Sequence, residues 1–553
     1  MEMTISRRTL LAGAAPFAAA VLRAESVMSA VNVPTEWAFT STKNYRNPFT
    51  EVDLDVVVKG PSGEEWKVPA FWAGGNTWRV RFAAGAPGMH SWRTVCSDPS
   101  NAGLHERSGS LEAAAYDGPN PLYRHGGVRV AAGKRHLQHA DGTPFFWLGD
   151  TWWMGFVRRL GWPGDFQMLA ADRLGKGFTV VQIVAGLYPD MPQRDERGAN
   201  EAGFPYDDGY NTVNPAYFDM ADLRIRYLAD HGLAPCVVGC WGYYLPVLGL
   251  EKMKRHWRYL IARWGAYPVV WCLAGEGSMP YYLSTNKEGD ARIQKTGWTE
   301  MGRYVRALDP YHRLITIHPS SSSRSTLDDA SVLDIDMLQT GHSDRESIPN
   351  TVKAVTASYA AAPVMPVIDG EVCYEGINEA SRQEVQRYMF WACLLSGAAG
   401  HTYGANGIWQ VNTPDQPFGA SPHGRSWGDT PWQTAYRLPG SAQLGMAKAL
   451  LSKYAWWRME PHPEWVAPHW SADDYYQPFC AGVPGEFRVL YFPKTWKVNH
   501  KIKSLETGLK YRAAWWNPAS GKETGAGTAE GPEWQPPAPP NFQDYVLILE
   551  KIA

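Results

Sequence analysis

The pattern of apolar and polar residues is that of short strands near the start of the chain. Between residues 31 and 125, the two kinds of residue alternate in runs such as "VDLDVVVKG" and "NTWRVRF", and Gly and Pro separate these runs. Alternation with a period of two is typical of strands that bury only one face. We therefore predict an N-terminal β-sandwich over residues 31–125.

The pattern changes over residues 135–438, where short apolar runs alternate with longer stretches of helical character. This order is typical of parallel strands that are joined by helices. Eight runs are candidate strands, at residues 144–150, 178–184, 233–240, 268–275, 313–318, 333–340, 363–371 and 396–404. Eight strand–helix units predict an α/β fold with a (β/α)8 TIM barrel as its catalytic domain.

Strand-like alternation returns over residues 440–553. The runs "GEFRVLYF" and "QDYVLILEK" are typical strands, and a Pro-rich loop, "EGPEWQPPAPPNF", precedes the second. We predict a C-terminal β-sandwich here, so that a β-sandwich flanks the barrel on each side.

The segment 1–24 has the features of an export signal peptide. Arg7 and Arg8 form a basic pair, and an apolar stretch follows. The small residues Ala18-Ala19-Ala20 then offer a cleavage site for the signal peptide. The segment "SRRTLL" is similar to the twin-arginine type of signal. We predict an exported protein that is periplasmic or extracellular.

Composition narrows the range of partners. The formal net charge of −2 provides no basic surface for nucleic acid, and no run after the signal is long and apolar enough to span a membrane. The seven cysteines do not indicate a disulfide framework. The 26 Trp and 27 Tyr fit large cores, but aromatic rings also stack on sugars, so an oligo- or polysaccharide is a candidate substrate. The oligomeric state stays open.

Two glutamates are the strongest candidates for catalysis. Glu276 follows the fourth candidate strand in "VVWCLAGEG", and Glu371 ends the seventh in "PVIDGE". They are 95 residues apart, which is three strand–helix units of about 31 residues in a barrel of ordinary size. Active sites of such barrels lie at the carboxyl ends of the strands, so the two carboxylates should meet across the barrel mouth.

A pair of carboxylates suits the hydrolysis of a glycosidic bond. One must be protonated to help the leaving oxygen depart, and the other must stay ionised on the opposite side of the sugar ring. Asp369 is a competitor for the second position because, one pleat earlier on its strand, it should point to the same side as Glu371. We expect Asp369 to support the site and Asp334 and Asp336 to be structural.

Other polar and aromatic residues near strand ends are candidates for binding substrate, although a role in core packing is an alternative for several of them. The candidates are Asp150, Trp152, Gln182, Trp241, Tyr243, His318, Gln339, Tyr374 and His401. Trp153 and Tyr244 could add further stacking surface. Three histidines at strand ends could hold zinc, but His318, His342 and His401 lack the local spacing of a metal site. We therefore predict no metal and no cofactor.

The segments "FFWLGDTWW", "VVWCLAGE" and "PVIDGEVCYEG", in this order and spacing, resemble a bacterial family of apiosidases that act on pectin side chains. The segment "VPAFWAGGNTWRVRF" resembles a β-domain that is often fused to this family, and "AWWNPASGKE" is similar to a C-terminal sandwich described as collagen-binding. The resemblance implies a (β/α)8 barrel and retaining hydrolysis. It also implies that Glu371 is the nucleophile and that Glu276 is the acid/base, where the family has Asp after Gly-Gly.

The sequence and this resemblance together predict an exported, retaining exo- or side-chain glycosidase that acts on a plant or microbial polysaccharide. The main alternative is a non-catalytic carbohydrate-binding protein on a barrel scaffold. A weaker alternative is matrix adhesion through the C-terminal sandwich.

Overall fold

Eight parallel strands form the central sheet of the computed structural model, which describes residues 26–495 and 499–552. The predicted signal segment lies outside these residues. The strands are β1 (Trp147–Trp152), β2 (Val180–Val184), β3 (Ala234–Val238), β4 (Val270–Cys272), β5 (Ile315–Thr316), β6 (Asp336–Gln339), β7 (Val367–Glu371) and β8 (Gly400–Tyr403). Apart from the last two residues of β1, they lie within the eight predicted segments.

The strands follow the order β5-β4-β3-β2-β1-β8-β7-β6, and every pair in this order is parallel. The sheet therefore curls into a barrel that is nearly closed. At the remaining seam, Asp334 N donates to Ile315 O at 2.8 Å beside the short strand β5. The predicted fold class is confirmed.

Helices surround the sheet because helical connections must cover the outer face of parallel strands. They are α1 (Gly164–Gly175), α2 (Pro215–Asp230), α3 (Leu250–Trp264), α4 (Lys287–Leu308), the short α5 (Ser323–Thr326), α6 (Ile348–Ala360), α7 (Gln383–Leu395) and α8 (Pro439–Leu451). Residues 440–451, where the pattern predicts the start of the C-terminal sandwich, lie in helix α8 instead of in strands.

Local sequence explains where these helices begin and end. Helix α2, for example, begins with Pro215, whose fixed φ suits the first helical turn. It ends before Gly232, which has φ +88° and needs the conformational freedom of glycine. Between a helix and the strand that follows it, Trp257 of α3 packs edge-on against Trp271 of β4, with ring centroids 5.7 Å apart. No helix of the described residues is long and apolar enough to cross a membrane.

The N-terminal domain consists of two facing sheets. The five-stranded sheet contains Ser26–Ala30, Ser108–Ala114, Gly88–Cys96, Leu54–Lys59 and Glu65–Pro69, and the three-stranded sheet contains Thr35–Thr40, Thr77–Phe82 and Phe71–Trp72. Their inner residues form a separate core that includes Val56, Trp78, Val80 and Phe82. A small sheet of Val128–Val130, Leu137–His139 and Pro144–Phe145 leads from this domain into the barrel.

The C-terminal domain is also built from two antiparallel sheets. The larger contains Glu460–Pro461, Phe479–Val483, Phe487–Phe492, Tyr545–Lys551, Lys510–Trp516 and Glu523–Glu530, and the smaller contains Val466–Ala467, Lys501–Lys503 and Glu533–Trp534. Its own core includes Leu490, Phe492 and Trp515. Both flanking domains therefore bury hydrophobic residues independently of the barrel.

Buried charges join each flanking domain to the barrel. On the N-terminal side, Arg81 of the sandwich donates to Oδ2 of Asp222 on α2 at 2.6 Å. Arg263 of α3 donates to the same oxygen at 2.6 Å, and Trp264 Nε1 donates to the other oxygen at 2.7 Å. On the C-terminal side, Arg387 of α7 binds Asp544 through two hydrogen bonds of 2.8 and 2.7 Å. Both ion pairs are buried, so removing one partner would leave the other charge without water or a counter-charge.

We predict that Asp544→Ala destabilises the protein strongly, because it leaves the guanidinium of Arg387 buried without its partner. The expected cost is about 3–5 kcal/mol, the usual range for breaking a buried ion pair. Thermal or urea denaturation followed by circular dichroism measures the loss. The control is Glu533→Ala, which breaks the exposed pair of Lys501 and Glu533 and should leave the unfolding midpoint almost unchanged. Equal effects of the two substitutions would contradict the role given to Arg387 and Asp544.

Candidate active site

A cavity of about 320 Å³ lies at the carboxyl ends of the barrel strands. Loops from almost every strand end contribute aromatic, carboxylate and imidazole groups to its wall. The lining residues are Trp153, Pro189, Asp190, Trp241, Glu276, Met279, Tyr282, Gln339, His342, Glu371, Tyr374, Ile377, Trp409, His423 and Trp427. We refer to it below as the central cavity.

Glu276 reaches the central cavity from a constrained turn after β4. Its φ of +44° lies in the left-handed region, which a glutamate seldom occupies. Backbone hydrogen bonds hold the turn on both sides: Gly242 N donates to Gly275 O at 2.7 Å, and Gly277 N donates to His318 O at 3.0 Å. A Cβ on Gly275 would meet the Trp241 ring at 2.2 Å, so glycine is required where the turn passes this indole.

Glu371 enters the central cavity from the end of β7 and lies between two histidines. His342 Nε2 is 2.7 Å from its Oε1, and His318 Nε2 is 3.0 Å from its Oε2. Burial by itself would raise the pKa of this carboxyl, but the two imidazoles outweigh that effect and hold the pKa well below its usual range. Glu371 is therefore ionised at neutral pH.

Glu276 is in the opposite electrostatic situation. Burial, followed by the negative charges of Glu371 and Asp190, raises its pKa to about 7. Its hydrogen-bond donors are neutral, since Trp241 Nε1 donates to Oε2 at 3.2 Å and Gln339 Nε2 donates to Oε1 at 3.2 Å. The site thus contains one carboxyl group that can carry a proton near neutrality and one that cannot.

Gln339, at the end of β6, limits the separation of the two carboxylates. Its Nε2 donates both to Glu276 Oε1 at 3.2 Å and to Glu371 Oε1 at 3.0 Å. Because one nitrogen binds both oxygens, these oxygens cannot be further apart than the two hydrogen bonds laid end to end. The predicted meeting of the two glutamates across the barrel mouth is what the structure has.

Aromatic rings hold the groups beside Glu371. Tyr374 stacks on His342 with ring centroids 4.7 Å apart, and it also stacks on Trp409 at 6.1 Å. Trp153 Nε1 donates to the Tyr374 hydroxyl at 2.9 Å. Burial and then the charge of Glu371 raise the pKa of Tyr374 well above its usual value, so this hydroxyl keeps its proton. Of the predicted binding residues, Trp241, Gln339 and Tyr374 line the central cavity.

Three predicted binding residues must be corrected, because their side chains lie on the outer side of the barrel sheet. Asp150 binds the guanidinium of Arg173 on α1, and it accepts a hydrogen bond from Trp152 Nε1 at 2.7 Å. The Trp152 ring packs against Phe166 of α1. His401 packs against Phe390 of α7, and burial lowers its pKa to about 3. Strand ends place half of their side chains against the helices, and these three belong to that half.

The other three predicted residues support the site from below or behind and do not line the central cavity. Gln182 donates to Gly370 O at 2.8 Å, directly before Glu371. His318 lies under the cavity wall, where it contacts Glu371. The Tyr243 hydroxyl donates to Tyr188 O at 2.8 Å, so this tyrosine is part of the wall's second layer. These three predictions of direct substrate contact are also corrected.

Simple alternation predicts that Asp369 and Glu371 point to the same side of β7, but in the structure they do not. The register of β6 and β7 shifts so that Leu338 pairs with Asp369 and Gln339 pairs with Glu371. The extra residue on β7 is Gly370, and it breaks the alternation. Asp369 accordingly accepts a hydrogen bond from Thr340 at 3.1 Å and lies beside Cys393 of α7, where burial raises its pKa to about 8.

Two further aspartates lie away from the central cavity, as expected for structural residues. Asp334 accepts hydrogen bonds from Ile315 N and from Arg306. Asp336 is bound by Arg324 at 2.8 Å. Neither is among the cavity-lining residues.

The sequence patterns missed several cavity residues that lie in long loops. Asp190 belongs to the loop after β2, Tyr282 to the loop after β4, and Trp409, His423 and Trp427 to the loop after β8. The sequence pattern offers His342, the second histidine neighbour of Glu371, only as a candidate metal ligand. The richness of these loops in aromatic residues was the available signal, but it does not tell which ring faces the cavity.

Comparison with known families gives two matches within the chain. Residues 131–458 match the family described as "Apiosidase-like, catalytic domain", which covers more than half of the chain. Residues 33–97, within the N-terminal sandwich, match a domain of unknown function, DUF5060. No curated protein matches the chain.

Solved structures share the fold at low sequence identity. A glycoside hydrolase is 24% identical, with a TM-score of 0.65, over 78% of this chain and 98% of its own. A family 5 glycoside hydrolase from Bacteroides vulgatus is 23% identical, with a TM-score of 0.65, over 78% of this chain and 95% of its own. A second protein of that organism, provisionally described as a glycoside hydrolase, is 17% identical with a TM-score of 0.70 and covers 95% of this chain and 100% of its own.

Proposed function

From the premise that the chain belongs to the apiosidase-like family and is a glycoside hydrolase, we propose that it cleaves its glycosidic bond with retention of configuration. Glu371 acts as the nucleophile and Glu276 as the acid/base. The substrate is a terminal or side-chain sugar of a plant or microbial polysaccharide. The observation that carries this proposal is the hydrogen bonding of Gln339 to both carboxylates.

In the first step, an oxygen of the Glu371 carboxylate attacks the anomeric carbon and forms a glycosyl ester. The bond between that carbon and the leaving oxygen breaks, and the proton of Glu276 passes to the leaving oxygen. The charge states support these roles, because the histidines keep Glu371 ionised and the pKa of Glu276 is about 7. A general acid works best when its pKa is near the working pH.

In the second step, the ionised Glu276 takes a proton from water while the water oxygen attacks the anomeric carbon. The ester bond to Glu371 breaks, and both carboxyl groups return to their first state. The short separation supports this route over inversion, in which a water must fit between carboxyl groups about 6.5–9.5 Å apart. An oxygen of each carboxyl group binds the same Gln339 nitrogen, at 3.2 and 3.0 Å, and this sharing favours the closer spacing of about 5–5.5 Å that retention requires.

Azide rescue tests both roles. Glu371→Gly and Glu276→Ala should each lose several orders of magnitude in kcat on the natural linkage, because each removes an interaction made in the transition state. With a 4-nitrophenyl glycoside and azide, Glu371→Gly should form the glycosyl azide of inverted configuration, and Glu276→Ala should form the azide of retained configuration. Proton NMR of the two products reads the configurations.

The control for the azide experiment is Glu346→Ala, which removes an exposed carboxylate that does not line the central cavity. It should keep wild-type activity and form no azide product. Full activity of either glutamate variant, or the same anomer of azide from both, would contradict the assignment.

We predict that kcat/KM falls above about pH 7, because Glu276 loses its proton there and can no longer protonate the leaving oxygen. On the acid side, activity should persist below pH 4.5, since the pKa of Glu371 is held below its usual range. Gln339→Leu should move the alkaline limb to higher pH, because the hydrogen bond from Gln339 lowers the pKa of Glu276. Stopped assays across pH 4–10 measure the alkaline limb and the activity retained at pH 4, and an alkaline limb that did not move in Gln339→Leu would contradict this account.

We also propose that the protein is exported in its folded state through the segment 1–24. The support is the twin-arginine pattern of "SRRTLL" and the apolar stretch behind it. Replacing Arg7 and Arg8 together by Lys should keep the protein in the cytoplasm with its leader uncleaved. Fractionation followed by immunoblotting reads this outcome. Unchanged export of the double variant would exclude the twin-arginine route.

A further inference from the structure

A third carboxylate, which the two-step mechanism does not use, lies in the wall of the central cavity. Asp190 belongs to the long loop after β2, and its φ of +54° holds it in the left-handed region. Its side chain is only 15% exposed. Such a placement costs free energy twice, once for the backbone conformation and once for the burial of a carboxyl group.

No lysine or arginine compensates Asp190 within the described cavity wall, since none is among the residues that line it. His423 Nε2 is 3.9 Å from its Oδ1, which is too far for a hydrogen bond. Burial raises the pKa of the Asp190 carboxyl, and the neutral Tyr282 hydroxyl and Trp427 indole beside it oppose that rise. Asp190 N also donates to the Tyr282 hydroxyl at 3.3 Å. Asp190 therefore adds an acceptor, and negative charge when it is ionised, to a cavity that already contains Glu276 and Glu371.

Several polar atoms of the cavity wall lack a hydrogen-bond partner within the described part of the chain. They include the indole nitrogen of Trp409 and the acceptor oxygen of Gln339. Buried donors and acceptors are normally paired, and an unpaired one is costly. A sugar hydroxyl can donate and accept at once, so a neutral sugar satisfies both the indole donor and the carboxylate and amide acceptors.

We propose that Asp190 is the specificity-determining residue of this site, which accepts hydrogen bonds from the hydroxyls of the terminal sugar and rejects sugars that carry a carboxylate. The inference rests on the proposed function and deepens it, because it names neutral sugars as the substrate class and uronic acids as the class excluded. A hydroxyl bound to an ionised acceptor makes one of the stronger hydrogen bonds. A uronate would instead place its charge beside carboxylates with no lysine or arginine of the described cavity wall to pair it.

The first test measures binding without turnover. The Glu371→Gln protein is titrated with the matched pairs D-galactose and D-galacturonate, and D-glucose and D-glucuronate, which differ only at C6, together with D-xylose, L-arabinose and D-apiose. Calorimetry or the fluorescence of the cavity tryptophans reports the Kd. We expect at least one neutral sugar to bind, and the neutral member of its pair to bind at least tenfold more tightly than the uronate at pH 6.

Adding Asp190→Asn to that protein should raise the Kd of the neutral sugar at least tenfold and reduce the preference for it over the uronate to threefold or less. The matched control is Asp208→Asn, which makes the same change on the same loop but at a side chain that is 89% exposed and pairs with Arg194. The control should leave both values unchanged. Tighter binding of a uronate by the parent protein, an unchanged preference in the Asp190→Asn variant, or no binding of any sugar in the panel would overturn the inference.

The second test measures kcat/KM of the otherwise native protein on 4-nitrophenyl glycosides of neutral sugars and on the corresponding glucuronide. Asp190→Asn should lower kcat/KM on the preferred neutral substrate at least tenfold, mainly through KM, and should leave the configuration of the product unchanged. Since Asp190 helps to raise the pKa of Glu276, the alkaline limb should also move to lower pH in this variant.

The two ideas can fail separately in these tests. If the wild type cleaves a glycoside and loses activity in Glu371→Gly, but Asp190→Asn changes neither KM nor selectivity, the specificity assignment falls and the proposed function stands. If sugars bind in a manner that depends on Asp190 but no glycoside is cleaved, the proposed function falls and the binding role of Asp190 stands.

Discussion

The structure depends on keeping two carboxyl groups close together in a buried place while giving them different protonation states. Like charges at this separation repel each other strongly when water is scarce, so the pair is stable only if one group keeps its proton. The asymmetry comes from the neighbours. Two imidazoles face Glu371, whereas Glu276 has an amide and an indole as hydrogen-bond donors. The aromatic stack around Tyr374 and His342 then keeps those neighbours in place.

The remainder of the fold can be understood as the support for this pair. Every hydrogen-bonded pair of barrel strands is parallel, so the strand ends and their loops converge on one face, and residues far apart in the sequence share one amide. The flanking sandwiches have their own cores, yet each is joined to a barrel helix through a buried ion pair. Their attachment points, Asp222 on α2 and Arg387 on α7, belong to the helices that follow β2 and β7, so the domains brace the helix layer behind the strands that lead to Asp190 and Glu371.

The sequence was sufficient for the architecture and for the meeting of the two glutamates, because both follow from periodic patterns. Parallel strands that are buried on both faces give apolar runs, and all eight were found. The failures concern the direction of single side chains. Asp150, Trp152 and His401 were predicted to face the cavity and instead face helices, since an uninterrupted apolar strand carries no polar alternation that would mark its inner side. The bulge at Gly370 and the course of the loop that carries Asp190 depend on contacts between distant segments, which local patterns do not record.

The left-handed turn at Glu276 affects which acids this position can accept. Short side chains such as Asp and Asn tolerate that backbone conformation better than Glu does, because they can hydrogen-bond locally. The aspartate that the resemblance to apiosidases implies here is thus the residue that the backbone itself favours, whereas Glu276 has one more methylene of reach at the cost of conformational strain. In the proposed mechanism, exchanging the two acids at this turn would shift the proton-donating oxygen by one methylene without moving the barrel, so the depth at which the leaving oxygen is protonated would depend on this single side chain.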